Sequence, residues 1–432
     1  MNENPGRAVS VTDAPTTPRW RAVWAGAIGN FTEFFDWTIY GYMAPVFAAQ
    51  FFPTGNQAAS LLLAFSTFAL GYLMRPIGGL VLGRLADAGG RRNALSLAIL
   101  LMGLGSLVIG LLPTYATLGL AAPILLGLMR LLQGFSAGGE GGVSATFLLE
   151  FAPPGRRALA GSWRDFSSGV SLFAALGVAT AVTSLLPADA LSSWGWRLPF
   201  LLGAVLALVG LVLRRSVTET PAFAAHRDSQ DDAPRPVHDL LGRDRRSLVR
   251  VMIIGVLPMV AFLTWQIYLP TYISSVTDIP LAMAQQISLL GAVVYLPLIP
   301  VMAILADRFG RRPMMIAFAV ASAIWAYPTY VLLSSSTSFV LLVTIVGNVI
   351  VAMMGGCISA TMAEQFPTAT RGSGVSLAYA VSASVIGGTF PIIVTYLAAQ
   401  GSRSIIFLIV VVAALVSGIA FYLMPETRDT RV

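Results

Sequence analysis

The chain has 432 residues, of which 56% are hydrophobic and 11% are charged, and its mean hydropathy is +0.77. A soluble domain carries about 25% charged residues, so this composition excludes an ordinary soluble protein and predicts helices that face lipid or one another. A single cysteine, Cys357, and two histidines in one polar loop, His226 and His238, leave no disulfide framework, no cysteine-based metal site and no histidine proton relay.

The net charge of +7 rests on arginine alone, because the chain contains no lysine. The arginines collect in the two tails and in every second connection between apolar segments, while the intervening connections are nearly uncharged. This alternation follows the positive-inside rule, so the charge reflects membrane topology rather than nucleic-acid binding. It predicts a multi-pass protein of an inner or plasma membrane, with both termini and the long central loop in the cytoplasm.

Apolar segments of bilayer-spanning length occur twelve times along the chain. They predict an all-α integral membrane protein with six-helix bundles at 22–214 and 248–424, joined by a polar linker at 215–247. The polar tail at 1–21 lacks the features of a signal peptide and is expected to be disordered, and a short tail follows at 425–432. The predicted spans are 22–47, 58–82, 93–112, 117–142, 158–186, 196–214, 248–274, 284–305, 313–333, 337–363, 372–400 and 404–424.

The first span carries two acids in the stretch GNFTEFFDWTIYGY, residues 29–42. Glu33 and Asp36 lie three residues apart and share one helix face, with Tyr40 one turn beyond Asp36. An ionisable side chain deep in a span costs at least about 2.5–3.5 kcal/mol on insertion scales, which makes each such residue a functional hypothesis. We interpret Asp36 and Glu33 as a proton-coupling site. The alternative is a permanent salt bridge that holds helices together.

Two motifs recur in the same order in the two halves. LADAGGRR at 85–92 follows the second span and LADRFGRR at 305–312 follows the eighth, while Glu-x-x-Pro-x-x-x-Arg occurs at 150–157 and 364–371. This repetition predicts a duplicated unit in which the two bundles alternate access to a site between them. Asp–Arg contacts in these loops would gate the motion; otherwise the arginines only fix topology. The predicted gate residues are Gly83, Asp87, Arg91 and Arg92 in the first copy, and Asp307, Arg311 and Arg312 in the second.

The fourth and fifth spans carry the remaining deep charges. Arg130 and Gln133 share a helix stripe with Glu140, and a guanidinium near mid-membrane can bind a carboxylate through two parallel hydrogen bonds. Arg130 is therefore the predicted substrate anchor, and Gln133 is a predicted substrate contact that can add a donor or an acceptor. A fixed ion pair of Arg130 with Asp36 or Glu33 is the alternative. Arg164 is either a second carboxylate contact or a snorkelling residue, and Asp165 either titrates or pairs with it. Arg75 and Glu140 are expected to be structural, with gating a further role for Arg75.

The second bundle offers only neutral polar and aromatic groups within its apolar segments. Thr344 stands where the repeat would place Arg130. Trp265 and Tyr268 share a face of the seventh span, and Asn348 is the main polar residue deep in the tenth. These three side chains, together with Tyr40, are candidate substrate contacts, because aromatic rings can cover a substrate or hold an ammonium group. Ordinary helix packing is the alternative.

The loops at 83–92 and 305–312 resemble the signature loop of the major facilitator superfamily, although Ala303 replaces Gly83 in the second copy. The stretches GNFTEFFDW, YLMRPIGG, RLLQGFSAGGE, SWGWRLPF and LRRSVTETPAF further resemble its metabolite:proton symporter family. This resemblance extends from about Gly29 to Met424 and implies the superfamily fold of twelve helices in two pseudo-symmetric bundles. It also implies carriage of citrate, α-ketoglutarate, shikimate, proline or betaine, and SWRDFSS is closer to the proline/betaine branch.

These features together predict a proton-coupled symporter that imports a small organic acid, with the proton as coupling ion and no cofactor. A zwitterion such as proline or a betaine is the alternative substrate, with its carboxylate on Arg130 and its ammonium near Asp165 or Trp265. A channel or a non-transporting receptor is the alternative from another class. An enzyme is not expected, and ATP-driven transport through a P-loop needs a lysine that the chain lacks. The expected protein is a monomer in contact with lipid, without nucleic acid.

Overall fold

The computed structural model describes residues 19–89, 91–138, 152–153, 155–215, 242–333, 336–367, 370–402 and 404–428. Within these ranges the regular secondary structure is entirely helical. Most of the predicted linker, nearly all of the N-terminal tail and the segment with Glu140 and Glu150 lie outside the described residues. The helices agree with the composition, because a helix satisfies its own backbone hydrogen bonds in lipid.

The first half of the chain forms six long helices, with short helices at Tyr115–Leu118 and Ala188–Ser193 in two of the connections. A 3₁₀ turn at Gly195–Arg197 leads into the last of them. The long helices are α1 (Arg19–Phe51), α2 (Gln57–Gly89), α3 (Arg91–Leu111), α4 (Ala121–Gly138), α5 (Arg157–Leu185) and α6 (Leu198–Arg215).

The second half forms six further helical segments, three of which are interrupted. They are α7 (Arg245–Ile254, Val256–Ala261, a π-helical part at Phe262–Tyr268, and Leu269–Val276), α8 (Leu281–Phe309), α9 (Arg311–Leu332), α10 (Thr337–Gly355 and Ile358–Ala363), α11 (Arg371–Ser382, a π-helical part at Ala383–Gly387, and Gly388–Ala399) and α12 (Ile405–Leu423).

Eleven of the described helical segments, α2 to α12, are long and apolar enough to cross a membrane. The exception is α1, which is long enough at 33 residues but carries Glu33, Asp36 and other polar residues. A helix of this length exceeds the thickness of a bilayer core. Its polar middle section packs against α2, α5 and α6, so that protein rather than lipid surrounds it.

The structure differs from the prediction of a loop at 83–92. Helix α2 continues to Gly89 and α3 begins at Arg91, so Asp87 lies in helical backbone. Helix α8 likewise runs through Asp307 to Phe309, and Gly310, with φ of +106°, turns the chain into α9. Alanine, leucine and arginine favour helix, which explains the longer helices, while the positive φ explains the glycine.

Glycines bring α2 and α4 into direct backbone contact. A Cβ atom added at Gly134 would lie 1.9 Å from the carbonyl oxygen of Gly71, and one at Gly138 would lie 2.0 Å from that of Arg75. Small residues at such crossings let membrane helices approach closely. The crossing places Arg75 of α2 and Arg130 of α4 beside the same stretch of α1.

The two halves meet mainly where α5 packs against α8 and where α2 packs against α11. In the second pair, Ser384 donates a hydrogen bond to the carbonyl oxygen of Tyr72 at 2.7 Å. A Cβ atom at Gly387 would lie 2.6 Å from the Tyr72 ring. The π-helical part of α11 therefore provides the close approach to α2.

Candidate functional site

A cavity lies between the two halves and is lined by both. The first half contributes Phe34 from α1, and Arg164, Asp165, Ser168 and Gly169 from α5. The second half contributes methionine, aromatic and hydroxyl side chains from α7, α8, α10 and α11, including Met259, Phe262, Tyr295, Met354, Ser359 and Tyr379. Arg164 is thus the cation and Asp165 the acid among its lining residues, and the second half adds neutral groups.

Arg164 and Asp165 form a pair that reaches across to the second half. The Arg164 Nη1 atom lies 3.8 Å from Asp165 Oδ1, and Ser359 Oγ donates a hydrogen bond to Asp165 Oδ2 at 2.6 Å. The Arg164 guanidinium carbon lies 5.9 Å from the ring centre of Tyr379. The buried Nε atom of Arg164 has no hydrogen-bond acceptor. Arg164 therefore keeps donor capacity at the cavity that an anion could use.

Asp36 and Arg130 lie in a second, enclosed cluster. Asp36 is 1% exposed and neither of its carboxylate oxygens accepts a hydrogen bond, although Ser106 and Arg130 lie nearby. Arg130 is fully buried, and its Nη1 donates to Gln133 Oε1 at 2.6 Å. Gln133 in turn donates to Ser106 at 2.8 Å. Burying a charge is costly without a partner, so this surrounding accommodates a neutral Asp36 at the least cost.

Aromatic rings hold the guanidinium of Arg130. Its carbon lies 4.5 Å from the ring centre of Trp37, 4.4 Å from that of Tyr40 and 5.1 Å from that of Phe68. Cation–π attraction strengthens when the cation is desolvated. These rings, together with Gln133, therefore stabilise Arg130 without an ion pair to Asp36.

Glu33 and Arg75 form an ion pair next to this cluster. Arg75 Nη2 lies 3.7 Å from Glu33 Oε1, and both side chains are less than a tenth exposed. The Arg75 guanidinium carbon also lies 4.2 Å from the ring centre of Trp37 and 4.7 Å from that of Tyr72. Trp37 is thus in contact with two arginines, Arg75 and Arg130.

The predicted substrate contacts fall in different places. Arg164 and Asp165 line the cavity, whereas Arg130, Gln133 and Tyr40 are enclosed in the cluster around Asp36. Tyr40 donates its hydroxyl to the carbonyl oxygen of Ala64 at 2.9 Å. A substrate carboxylate in the cavity therefore meets Arg164 before Arg130.

The predicted contacts of the second half are buried, and Tyr268 also packs against Phe65 of α2, with the ring centres 5.5 Å apart. Asn348 accepts a hydrogen bond from Gln266 at 3.0 Å, and the Tyr268 hydroxyl lies 2.9 Å from that of Thr395. Trp265 packs so closely on Gly347 that an added Cβ would lie 2.4 Å from its ring. In this conformation these side chains pack against helices rather than line the cavity between the halves.

The second gate motif joins the halves at the end of the bundle where α8 turns into α9, here called the gate end. Asp307 accepts hydrogen bonds from the backbone N–H groups of Ala158 at 2.9 Å and Leu159 at 3.0 Å, at the start of α5. A carboxylate at a helix N-terminus is favoured by the helix dipole. In the first motif, Gly83 leaves open space for a side chain, while the side chains of Asp87, Arg91 and Arg92 lie outside the described residues.

Arg311 links Asp307 to the second repeated motif. It lies 3.1 Å from Asp307, and its Nε and Nη2 atoms donate to the two oxygens of Glu364, each at 3.1 Å. Arg157 of the first half approaches Glu364 to 3.9 Å. Arg312 is directed elsewhere and lies over the Tyr422 ring at 4.9 Å. The gate end is therefore held by charged groups.

The segment after α12 also binds the gate end. Glu426 accepts hydrogen bonds from the backbone N–H groups of Arg311 and Arg312, each at 3.0 Å. Thr427 donates to Glu364 at 2.5 Å. These contacts satisfy N–H groups at the start of α9 that have no partner within the helix.

The opposite end of the bundle is closed by uncharged groups. Gln285 of α8 donates to the carbonyl oxygen of Tyr42 at 3.1 Å and accepts a hydrogen bond from Thr183 of α5 at 2.7 Å. Tyr42 donates its hydroxyl to the carbonyl oxygen of Gln266 at 2.7 Å. Among the described residues, these bonds between the halves involve amide, hydroxyl and backbone groups.

Sequence reasoning did not single out Trp37, Ser359 or Tyr379. Trp37 directly follows Asp36 in a motif of the first span, and that position was the available signal. Ser359 and Tyr379 lie in ordinary-looking apolar segments, so only the packing of α10 and α11 against α5 brings them to Arg164 and Asp165.

Comparison with known proteins agrees with this architecture. Residues 22–246 match the profile of the family described as "Sugar (and other) transporter", and residues 280–432 match that of the "Major Facilitator Superfamily". Among solved structures, the xylose transporter XylE from E. coli in a partially occluded inward open conformation superposes with a TM-score of 0.77. That comparison covers 96% of this chain and 99% of XylE at 20% identity, and therefore supports the fold.

Curated relatives are closer in sequence. The citrate-proton symporter of Klebsiella pneumoniae is 36% identical over 85% of this chain and 83% of its own length. The alpha-ketoglutarate permease of Escherichia coli (strain K12) is 35% identical over 94% and 95%. The proline/betaine transporter of Salmonella typhimurium is 32% identical over 95% and 84%. The chain is therefore a membrane transporter of the major facilitator superfamily, in the group that contains these citrate, α-ketoglutarate and proline/betaine carriers.

Proposed function

We propose that this transporter is a proton-coupled symporter that imports a small carboxylate. The observation that carries the proposal is Arg164, a partly buried arginine that lines the cavity between the halves and whose Nε has no hydrogen-bond acceptor. A carboxylate would bind there by charge-assisted hydrogen bonds, with Tyr379 and Phe262 against its carbon skeleton. The citrate and α-ketoglutarate relatives support this substrate class.

Asp36 is the proposed carrier of the coupling proton. Its carboxyl is enclosed, accepts no hydrogen bond and lies near Arg130, which aromatic rings hold in place. When Asp36 loses its proton, Arg130 is the cation that can stabilise the carboxylate. The proton, not a cofactor, would then supply the driving force, and Arg130 would act on Asp36 rather than on the substrate.

Alternating access would use the two ends of the bundle at which hydrogen bonds join the halves, the gate end and the opposite end. When the cavity opens at the gate end, the Asp307 contact with α5 would break, while the hydrogen bonds of Gln285 to Tyr42 and Thr183 persist. Opening toward the other side would do the reverse. With the gate end and both termini in the cytoplasm, as the arginine distribution predicts, this cycle imports substrate across an inner membrane.

A zwitterion such as proline or a betaine is the second candidate substrate. Asp165 lies beside Arg164 at the cavity, so one site offers both a cation and an anion. The ammonium would lie near Asp165 and the aromatic rings, which attract quaternary ammonium groups. The proline/betaine relative supports this reading.

The test is proton uptake into proteoliposomes, read by an interior pH dye. Mono-, di- and tricarboxylates, proline and betaines would be added to wild-type and Asp36→Asn transporter, with labelled substrate in parallel. We expect one class to acidify the lumen in the wild type and none to do so in Asp36→Asn. Entry of labelled substrate with no pH change in the wild type would overturn proton coupling, and proton uptake unchanged in Asp36→Asn would overturn the role of Asp36.

A further inference from the structure

Two arginines from different helices contact one indole ring. The guanidinium carbon of Arg75 lies 4.2 Å from the ring centre of Trp37, and that of Arg130 lies 4.5 Å from it. Trp37 is 2% exposed, and Gly71 leaves space for its ring, since an added Cβ would lie 2.7 Å from it. The close crossing of α2 and α4 thus holds two like charges against the same aromatic group.

Each of these arginines has its own acid on α1, and the two acids differ in access. Glu33 pairs with Arg75 and lines a small cavity together with Arg164 and Tyr379, which also line the central cavity. Asp36 lies near Arg130 and is sealed. Of the two acids on α1, Glu33 is therefore the one nearer to the central cavity.

Sharing one ring couples the two arginines. The ring attracts each cation, while the cations repel one another. When one cation moves away, the repulsion disappears and the other cation binds the ring more strongly. We propose that Trp37 is a positioning residue that couples the state of the Glu33–Arg75 pair to that of Asp36 and Arg130. This inference rests on the proposed proton symport.

The coupled step is the loss of one proton by Asp36 and the gain of one by Glu33. The charge at Asp36 falls by one and that at Glu33 rises by one, so the total charge of the two acids does not change. The new Asp36 carboxylate draws Arg130 from the ring. Arg75 loses its ion pair with the now neutral Glu33 and stays in contact with the Trp37 ring after Arg130 has moved away. Glu33 can then release the proton to the cavity.

The charged and titratable groups around this relay come from several helices. Glu33 is near Arg75 of α2, Arg164 of α5 and Tyr379 of α11. Asp36 is near Arg130 of α4 and on the same helix as Tyr40. The conformation described has both arginines on Trp37, which corresponds to a neutral Asp36 and an ionised Glu33.

The test measures protons per substrate in W37F and W37L, with interior pH and labelled substrate recorded in the same proteoliposomes. Leucine removes the cation–π contact and phenylalanine weakens it, so we expect the ratio to fall to about half or less in W37L and by a smaller amount in W37F. The matched control is W196F. Trp196 is equally buried in the first half, among Phe47, Phe51 and Phe200, away from both acids.

A purely structural role predicts lower uptake with an unchanged ratio, so an unchanged ratio in W37L would overturn the inference. If W37L fails to fold, W37F decides alone: a ratio equal to that of W196F overturns the inference, and a lower one supports it. Absence of proton uptake in the wild type would instead overturn the symport on which the inference rests. The two failures are therefore distinguishable.

Discussion

At the residue scale, Arg164 is the cation that the described residues present to the central cavity for anion recognition. Charge-assisted hydrogen bonds contribute about 1.5–3 kcal/mol, so we expect Arg164→Gln to weaken apparent substrate affinity by about tenfold to a hundredfold. Arg164→Lys should recover part of the loss, because lysine keeps the charge but not the planar fork. Initial uptake rates against substrate concentration measure both effects.

The control for this pair is Arg246→Lys, which changes an exposed arginine at the start of α7. Its affinity should equal that of the wild type. Unchanged affinity in Arg164→Gln would contradict the assignment and return the substrate carboxylate to Arg130, the anchor predicted from sequence.

Single residues were predictable from sequence where their chemistry conflicted with their surroundings. Examples are Glu33, Asp36, Arg130 and Arg164, because an ionisable side chain in an apolar span is energetically costly and therefore indicates a function. Whether such a charge faces the cavity depends on helix rotation and packing, which spacing along one helix cannot supply. The prediction for Arg130 identified an unusual residue, and the structure places it beside the acid rather than the cavity.

At the element scale, Glu426 fastens the chain after α12 to the start of α9. Partial desolvation opposes its ionisation, but hydrogen bonds from the backbone N–H groups of Arg311, Arg312, Arg428 and Thr427 outweigh it and hold the pKa of Glu426 below its usual range. A group whose pKa is lowered by folding stabilises the fold above its ordinary pKa. That contribution is lost as pH falls through the lowered value.

We therefore expect Glu426→Gln to lower the melting temperature near neutral pH, and the difference from wild type to vanish in strong acid. Loss of a capping group costs about 0.5–2 kcal/mol, toward the lower limit here because Glu426 is exposed and glutamine keeps an acceptor. Thermal unfolding in detergent between neutral and acidic pH measures the difference. The control is Asp189→Asn, at an exposed carboxylate, and a pH-independent difference for Glu426→Gln would contradict the capping role.

The helices themselves were predictable, because apolar segments of spanning length leave the backbone few alternatives. The details that shape the site were not. From sequence we interpret the motif at 83–92 as a loop, but its leucine and alanine residues continue α2 to Gly89, and α3 begins at Arg91. The π-helical parts at Phe262–Tyr268 and Ala383–Gly387 lie where α7 and α11 contact the other half, as Gly387 does with Tyr72. No local signal in the sequence marks them.

At the scale of the whole molecule, the buried charges of the described first half balance. Each acid around α1 and the cavity has an arginine nearby, so these six groups carry no net charge once Asp36 has released its proton. The acids are Glu33, Asp36 and Asp165, and the arginines are Arg75, Arg130 and Arg164.

The balance has an electrical consequence. Moving an elementary charge across the membrane changes its energy by about 2.3 kcal/mol per 100 mV. A carrier that is neutral after it has released substrate and proton should return at a rate that does not depend on voltage. Current should then flow only when protons exceed the negative charges of the substrate. Recordings on supported membranes would show no net current for a monocarboxylate with one proton, and an inward current for each further proton. Voltage-dependent return of the empty carrier would contradict the balance. If the return is independent of voltage, the current measures the number of protons carried with each substrate.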